Sequence, residues 1–208
     1  MINKEQHSSS FRDPSGYIFI EQNILKRKIL PIYFNQYNKL KNSKFFDKLF
    51  KSSLLIKHKE VSVSESEIVI EPEQIPFITY PYEWSFNQYK EAALLTLKLQ
   101  KFALENEFSL KDASAFNVTF HNGNAIFIDT LSFDFYKENE PWRAYKQFIT
   151  HFFGPLILAH YHGSEMLKLM GSFMDGIPVK TIASLLPFKT KLNPINKLRN
   201  GFVKKSII

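Results

Sequence analysis

The 208-residue chain contains no cysteine, which excludes disulfide bonds, thiolate zinc sites and a cysteine nucleophile. Only 7 glycines are present, and none belongs to a glycine-rich phosphate loop or to a G-x-G turn between a strand and a helix. The N-terminal stretch MINKEQHSSSFRDPSG lacks the apolar run of a signal peptide, and the longest apolar run, FFGPLILA, is too short to cross a bilayer. We therefore expect a cytoplasmic protein without a membrane span.

Acidic residues are missing from residues 189–205, KTKLNPINKLRNGFVKK, which carry much of the formal charge of +7. Such a segment can contact nucleic acid, anionic lipid or an acidic partner, but a solvated terminus or linker is the favoured interpretation. The rest of the chain is close to neutral, so nucleic acid is not expected as a partner. The predicted organisation is a flexible N-terminus over 1–14, one domain over 15–190 and a basic tail or linker over 191–208, with 189–208 weakly packed.

The order of predicted elements indicates an α+β fold with two lobes. Alternating apolar residues predict a strand-rich N-lobe over about 15–78, with a first hairpin turning at Gln22-Asn23. A mostly helical C-lobe over about 85–190 begins with the capping box of Ser85 and Gln88, which predicts a long helix over 86–106. A later apolar helix, WRAYKQFITHFF, is expected to stop at Gly154-Pro155.

A second hairpin is predicted in SLKDASAFNVTFHNGNAIFIDTLSF, with a type I′ turn at Asn122-Gly123. A two-residue turn places Asn117 opposite the residue before Asp129, so both lie at the open end of the hairpin. Asp112 lies on the loop that leads to this end. One carboxylate and one amide suit Mg²⁺, and a second carboxylate could orient or deprotonate a hydroxyl. Turn and capping chemistry is the alternative explanation for these residues.

The spacing Asp-x4-Asn, then a hairpin, then IFID resembles the protein-kinase-like and aminoglycoside-phosphotransferase-like fold. The resemblance implies a two-lobed kinase-like domain that uses Mg²⁺ and ATP. It implies that Asp112, preceded by Lys111, is catalytic, and that Asn117 and Asp129 bind the metal. The usual H-R-D or H-G-D is Leu-Lys-Asp here, and threonine follows Asp129.

The lysine that contacts the cofactor phosphates in that fold has no matching V-A-I-K motif in this chain. The resemblance implies that Lys26 or Arg27, on the second predicted strand, takes the place of that lysine in cofactor binding. The segment IPFITYP would connect the two lobes. The missing glycine-rich loop favours a pseudokinase-type binding module over an active enzyme.

Four longer phrases, FRDPSGYIF, IPFITYPYEWSFNQYKEAALLTL, SLKDASAFNV and IDTLSF, resemble the N-terminal region of nodulation-related bacterial class I S-adenosylmethionine-dependent methyltransferases. That resemblance implies a methyltransferase domain or protein as partner and an unknown small-molecule or glycan-type substrate. Because the glycine fingerprint is missing, S-adenosylmethionine is not expected to bind this chain alone. Three hypotheses remain open: an accessory binding module, an atypical ATP-dependent phosphotransferase, and a structural remnant.

Overall fold

The computed structural model describes residues 5–6, 13–188 and 190, and it confirms the α+β fold with a strand-rich lobe followed by a mostly helical one. Nine strands are assigned within these residues: β1 (Glu5–Gln6), β2 (Gly16–Glu21), β3 (Ile24–Ile29), β4 (His58–Val63), β5 (Ile68–Pro72), β6 (Phe108–Leu110), β7 (Val118–His121), β8 (Asn124–Phe127) and β9 (Phe133–Phe135). The α-helices are α1 (Phe34–Asn42), α2 (Phe45–Lys51), α3 (Phe86–Leu104), α4 (Tyr145–Phe148), α5 (Gly154–His162) and α6 (Val179–Leu185). Short 3₁₀ turns occupy Pro31–Tyr33, Pro81–Glu83, Ala115–Asn117 and Ser164–Gly171.

The N-lobe is built on one antiparallel sheet with the order β1-β2-β3-β5-β4. The predicted hairpin is confirmed: Glu21 pairs with Ile24, and Gln22 and Asn23 between them have φ of 53° and 60°. Two successive residues with positive φ are typical of the type I′ turn, whose twist matches that of the strands. The hairpin register sets which side chains of β3 face the rest of the protein.

The core is continuous between the two lobes. Phe45 at the start of α2 is fully buried, and its ring lies 5.4 Å from that of Phe102 in α3, 5.1 Å from Phe108 and 5.0 Å from Phe133. A parallel bridge joins Leu55 to Phe127 of β8. The N-lobe helices are therefore packed directly on the C-lobe framework that carries the candidate site.

Helix α3 and the second hairpin form as predicted. Ser85 Oγ accepts the N–H of Gln88, and the Gln88 side chain returns to the Ser85 N–H, which confirms the capping box. In the hairpin His121 pairs with Asn124, and Asn122 and the following glycine have φ of 51° and 78°. The pairs β6–β9 and β7–β8 are separate two-stranded ladders, so the N-lobe sheet does not extend into them.

The expected helix stop at Gly154-Pro155 is wrong. Helix α4 continues through a π-helical turn over Ile149–Phe153, and α5 begins at Gly154 with proline in its first turn. Proline has no N–H for the carbonyl four residues earlier, which here belongs to His151. The Tyr89 hydroxyl of α3 donates to that carbonyl instead. A tertiary contact therefore replaces the hydrogen bond whose loss was expected to end the helix.

Parts of the predicted terminal segments can be compared with the structure. Within 1–14, Glu5–Gln6 pair with β2, and Asp13 contacts Arg27. The predicted tail, 191–208, lies outside the described residues, as does position 189. Across the described part of the chain, no helix is both long and apolar enough to span a membrane.

Candidate functional site

Ser132 joins the two residues predicted to bind a metal. The hairpin extends by one hydrogen bond, 2.8 Å from the Ile128 N–H to the Asn117 carbonyl, which places Asp129 beside that asparagine. Ser132 Oγ donates to Asp129 Oδ2 at 2.6 Å and accepts from Asn117 Nδ2 at 3.3 Å. The Leu131 N–H donates to Asp129 Oδ1 at 3.1 Å. The chain that follows β8 thus folds back and supplies donors to the carboxylate.

Asp112 lies in the same cluster. Its Oδ1 accepts the Ser114 N–H at 2.9 Å and Gln147 Nε2 at 2.8 Å. Burial raises the pKa of Asp112 above its ordinary value, and the nearby charge of Asp129 adds to this, whereas hydrogen bonds from Ser114, Gln147 and Asn117 oppose it. The structure therefore brings Asp112, Asn117 and Asp129 together, with Gln147 of α4 as an additional partner.

Arg27 provides the positive charge at this cluster. Its Nη1 atom lies 2.5 Å from Asp129 Oδ1, and its Nη2 atom lies 2.6 Å from Asp13 Oδ2. Burial alone would raise the pKa of Asp129, but the guanidinium, with the hydrogen bonds from Ser132 and Leu131, holds that pKa below its ordinary value. Asp129 is therefore an ionised carboxylate, and its counter-ion is a side chain from the N-lobe sheet.

The two neighbouring lysines lie in different places. Lys26 points to the opposite face of β3, where its ammonium lies 2.8 Å from Glu21 and 3.9 Å from Glu71. Lys111 points toward the interlobe site: its Nζ atom donates to Ser15 Oγ at 3.0 Å and lies 4.4 Å from the centre of the Tyr33 ring. Because adjacent strand residues face opposite sides, only Arg27 of the two candidates on β3 reaches Asp129.

Three partners in this network were missed by sequence reasoning: Ser15, Ser132 and Gln147. Each is a small or amide side chain with no motif of its own. For Asp13, the sequence allows two interpretations: a local ion pair with the neighbouring Arg12, or a contact to the site. The turn sequence Asp-Pro-Ser-Gly does predict the local role of Asp13, because an aspartate at the start of a turn accepts the N–H of the residue two positions later. Here the Ser15 N–H donates to Asp13 Oδ1 at 2.9 Å.

In this arrangement Asp129 offers no unengaged oxygen to a magnesium ion. Both carboxylate oxygens of Asp129 are engaged, Oδ1 by the guanidinium of Arg27 and Oδ2 by the hydroxyl of Ser132. Mg²⁺ requires free oxygen ligands in a near-octahedral shell. Within the described residues, there is also no group of three or more acidic, histidine or cysteine side chains that could hold a metal. Arg27 would have to leave Asp129 before an ion could bind there.

His151 supports the loop that carries the cluster. Its Nδ1 atom accepts the Ala115 N–H at 3.3 Å, and its ring meets that of Phe116 edge to face. Burial lowers the pKa of His151 to about 4, although the backbone and charge of Asp175 oppose this, and burial also lowers the pKa of His58 to about 4. Both rings are neutral at pH 7, which leaves Nδ1 of His151 as an acceptor.

The lowered pKa values predict loss of stability in mild acid. The unfolded chain takes up protons near the ordinary histidine pKa of about 6.5, whereas the folded chain does so only near 4, so stability is present above pH 6.5 and falls toward pH 4. We expect up to about 3 kcal/mol per histidine at the acid end, since one pKa unit is roughly 1.4 kcal/mol. Urea unfolding of wild type and His151→Asn between pH 7 and pH 5 measures this slope.

The asparagine keeps an acceptor but does not titrate, so the slope should decrease in His151→Asn. His160→Asn, which makes the same replacement at an exposed position, is the matched control. Equal slopes in all three proteins would show that His151 carries no proton-linked stability.

Comparisons with known proteins find a sequence relative and several solved structures with a similar fold, and no family model matches the chain. The chain is 31% identical over 186 residues to the nodulation protein NoeA of Rhizobium meliloti (strain 1021). Among solved structures, vaccinia related kinase 3 has a TM-score of 0.46 at 12% identity over 88% of this chain and 83% of that one. The Cydia pomonella granulovirus kinase PK-1 has a TM-score of 0.45 at 10% identity over 65% and 54%.

Both of these structures are protein kinases, and likeness at this level concerns the fold alone. The match to NoeA covers 86% of this chain and 39% of that protein. The chain is thus similar over most of its own length to a nodulation protein, of which it spans about two fifths.

Proposed function

We propose that this chain is a kinase-like module that acts in the cytoplasm and binds a substrate or partner for a methyltransferase domain or protein. The observation that carries the proposal is the guanidinium of Arg27, which contacts Asp129 at 2.5 Å and Asp13 at 2.6 Å. Phosphoryl transfer relies on a metal ion at such an aspartate. Here a side chain supplies that positive charge, which favours binding over transfer.

Two further observations support a binding role. Gly16, which stands near the position of a phosphate loop, lies in β2 so close to β3 that a Cβ atom there would be 2.0 Å from the Lys28 carbonyl oxygen. This glycine therefore serves close strand packing rather than the cradling of a phosphate. Secondly, the match covers only 39% of NoeA. We propose that the remainder of such a longer protein contains the partner domain.

An active ATP-dependent phosphotransferase is the second candidate. One observation favours it: Asp112, Asn117 and Asp129 form one cluster, joined through Ser132 and the asparagine amide. This candidate requires Arg27 to move away from Asp129, so that a bound metal ion replaces the guanidinium as the counter-ion of the carboxylate.

Thermal unfolding with ATP, magnesium and both together separates the two candidates. We expect no stabilisation by ATP that depends on magnesium, because Arg27 already neutralises Asp129. A functional site would stabilise the folded chain by roughly 2.7 kcal/mol when the nucleotide is present at 100 times its dissociation constant.

We also expect no stabilisation by S-adenosylmethionine in the same thermal unfolding experiment, since no glycine fingerprint is present to hold it.

The controls are two Asp→Asn variants, one in the cluster and one on the surface. Asp129→Asn removes the predicted metal ligand, whereas Asp47→Asn changes an exposed carboxylate of α2. The proposal fails if magnesium and ATP stabilise both wild type and Asp47→Asn but not a folded Asp129→Asn.

A further inference from the structure

One short turn holds a cation from each lobe. Asp13 contacts Arg27 of β3 through Oδ2 at 2.6 Å, and Ser15 accepts from Lys111 of the C-lobe at 3.0 Å. The same turn is closed by the Ser15 N–H, which donates to Asp13 Oδ1 at 2.9 Å. A carboxylate and a hydroxyl, two residues apart, therefore lie between two positive charges.

Arg27 is incompletely paired on the side that faces Asp13. Its side chain is nine-tenths buried, and its Nε atom is buried with no hydrogen-bond partner. The Nε and Nη2 atoms of a guanidinium form one edge, and a carboxylate can accept from both at once. Asp13 accepts only from Nη2, through Oδ2, and its Oδ1 atom accepts the Ser15 N–H instead of the Nε–H. An unpartnered buried donor is costly, so this edge is suited to a better-placed carboxylate.

Lys111 adds a second positive charge with unused capacity. Among the described residues, its ammonium has no carboxylate within ion-pair distance, and its contacts are the Ser15 hydroxyl and the face of Tyr33. Burial lowers the pKa of Lys111, although the charges of Asp13, Asp129 and Asp134 oppose this. An additional anion beside Lys111 would compensate for this burial.

We infer that Arg27 and Lys111 form a binding site for a small carboxylate-bearing molecule, and that Asp13 occupies this site in the described conformation. The inference deepens the proposed function, on which it rests, by naming the ligand class of the interlobe site. The groups that now contact the two cations are the Asp13 carboxylate, on Arg27, and the Ser15 hydroxyl, on Lys111. A short hydroxy acid carries the same two groups, so it could contact both side chains in the space that this turn fills.

Asp13, rather than Asp129, is the group that such a ligand would displace. The Asp13 side chain is 28% exposed, and its other hydrogen bond is local to its own turn. The Asp129 side chain is 17% exposed and is also held by Ser132 and Leu131. The site is thus reachable from the Asp13 side without breaking the Arg27–Asp129 pair.

Chemical rescue tests this inference without magnesium or nucleotide. Asp13→Ala removes the resident carboxylate, and glycolate, acetate or inorganic phosphate is then titrated while the midpoint of thermal unfolding is followed. We expect glycolate and acetate to bind Asp13→Ala at least tenfold more tightly than wild type. We expect the double variant Asp13→Ala/Lys111→Met, which keeps the Arg27–Asp129 pair, to lose most of that gain.

Glu67→Ala is the matched control, because it removes the carboxylate partner of Lys28 on the same sheet, at 2.5 Å. It should show no gain in carboxylate binding. Equal responses of wild type, Asp13→Ala and Glu67→Ala would overturn the inference, as would a gain that survives Lys111→Met or a response to phosphate alone. Failure of rescue leaves the proposed function standing, whereas magnesium-dependent stabilisation by ATP contradicts the proposed function whatever glycolate does.

Discussion

Replacing Arg27 with methionine is expected to lower the free energy of unfolding by about 3 to 5 kcal/mol. The guanidinium is the counter-ion of both Asp129 and Asp13, and its side chain is only 10% exposed. Without it Asp129 remains a buried carboxylate with hydrogen bonds from Ser132 and Leu131 but no cation. Urea unfolding at pH 7 measures the change.

Lys28→Met is the matched control for this substitution. Lys28 lies next to Arg27 on β3 and pairs with Glu67 at 2.5 Å, but it faces the other side, and Glu67 is 31% exposed. Partly exposed pairs contribute about 1 kcal/mol or less. Arg27→Met/Asp129→Asn should recover part of the lost stability, because the neutral amide no longer needs a cation. A loss in Arg27→Met no larger than that in Lys28→Met would contradict a central role for this ion pair.

Phe45→Ala is expected to cost about 3 to 5 kcal/mol, the usual range for removing a fully buried phenylalanine ring. The ring is 0% exposed and touches aromatic residues from α3, β6 and β9. Its loss leaves a cavity at the junction between α2 and the C-lobe, where rigid surrounding elements limit collapse. The same urea unfolding experiment applies.

Phe77→Ala provides the comparison, since this ring on the interlobe connector is 70% exposed and should cost no more than about 0.5 kcal/mol. Fluorescence reports the C-lobe, because Trp142 belongs to it and Trp84, just before it, packs on Tyr89 and Phe120 of that lobe. Circular dichroism reports the whole chain. We expect the two signals to change together in wild type, because the core is continuous. Separate transitions, or a loss below about 1 kcal/mol in Phe45→Ala, would show that the lobes are not joined through this ring.

Local patterns in the sequence were sufficient for several elements. The capping box of Ser85 predicted the start of α3, and Asn122-Gly123 predicted the turn and therefore the register of the second hairpin. Both signals act over a few residues, so their geometry depends little on the rest of the chain. The same register brings Asn117 and Asp129 to one end of the hairpin, so the turn residues alone were enough to identify two members of the cluster.

Long-range partners decided the rest. The sequence alone determined a two-lobed α+β chain, its hairpin registers and a candidate cluster of Asp112, Asn117 and Asp129. Only the tertiary structure decided that Arg27, 102 residues away from Asp129, is the cation of that cluster and that Lys26 is not. Likewise, it decided that Tyr89 satisfies the carbonyl of His151 and lets a helix continue at Pro155. Capping and turn signals depend on neighbouring residues, whereas the partner of a buried charge or carbonyl depends on which distant side chain packing brings within hydrogen-bond distance.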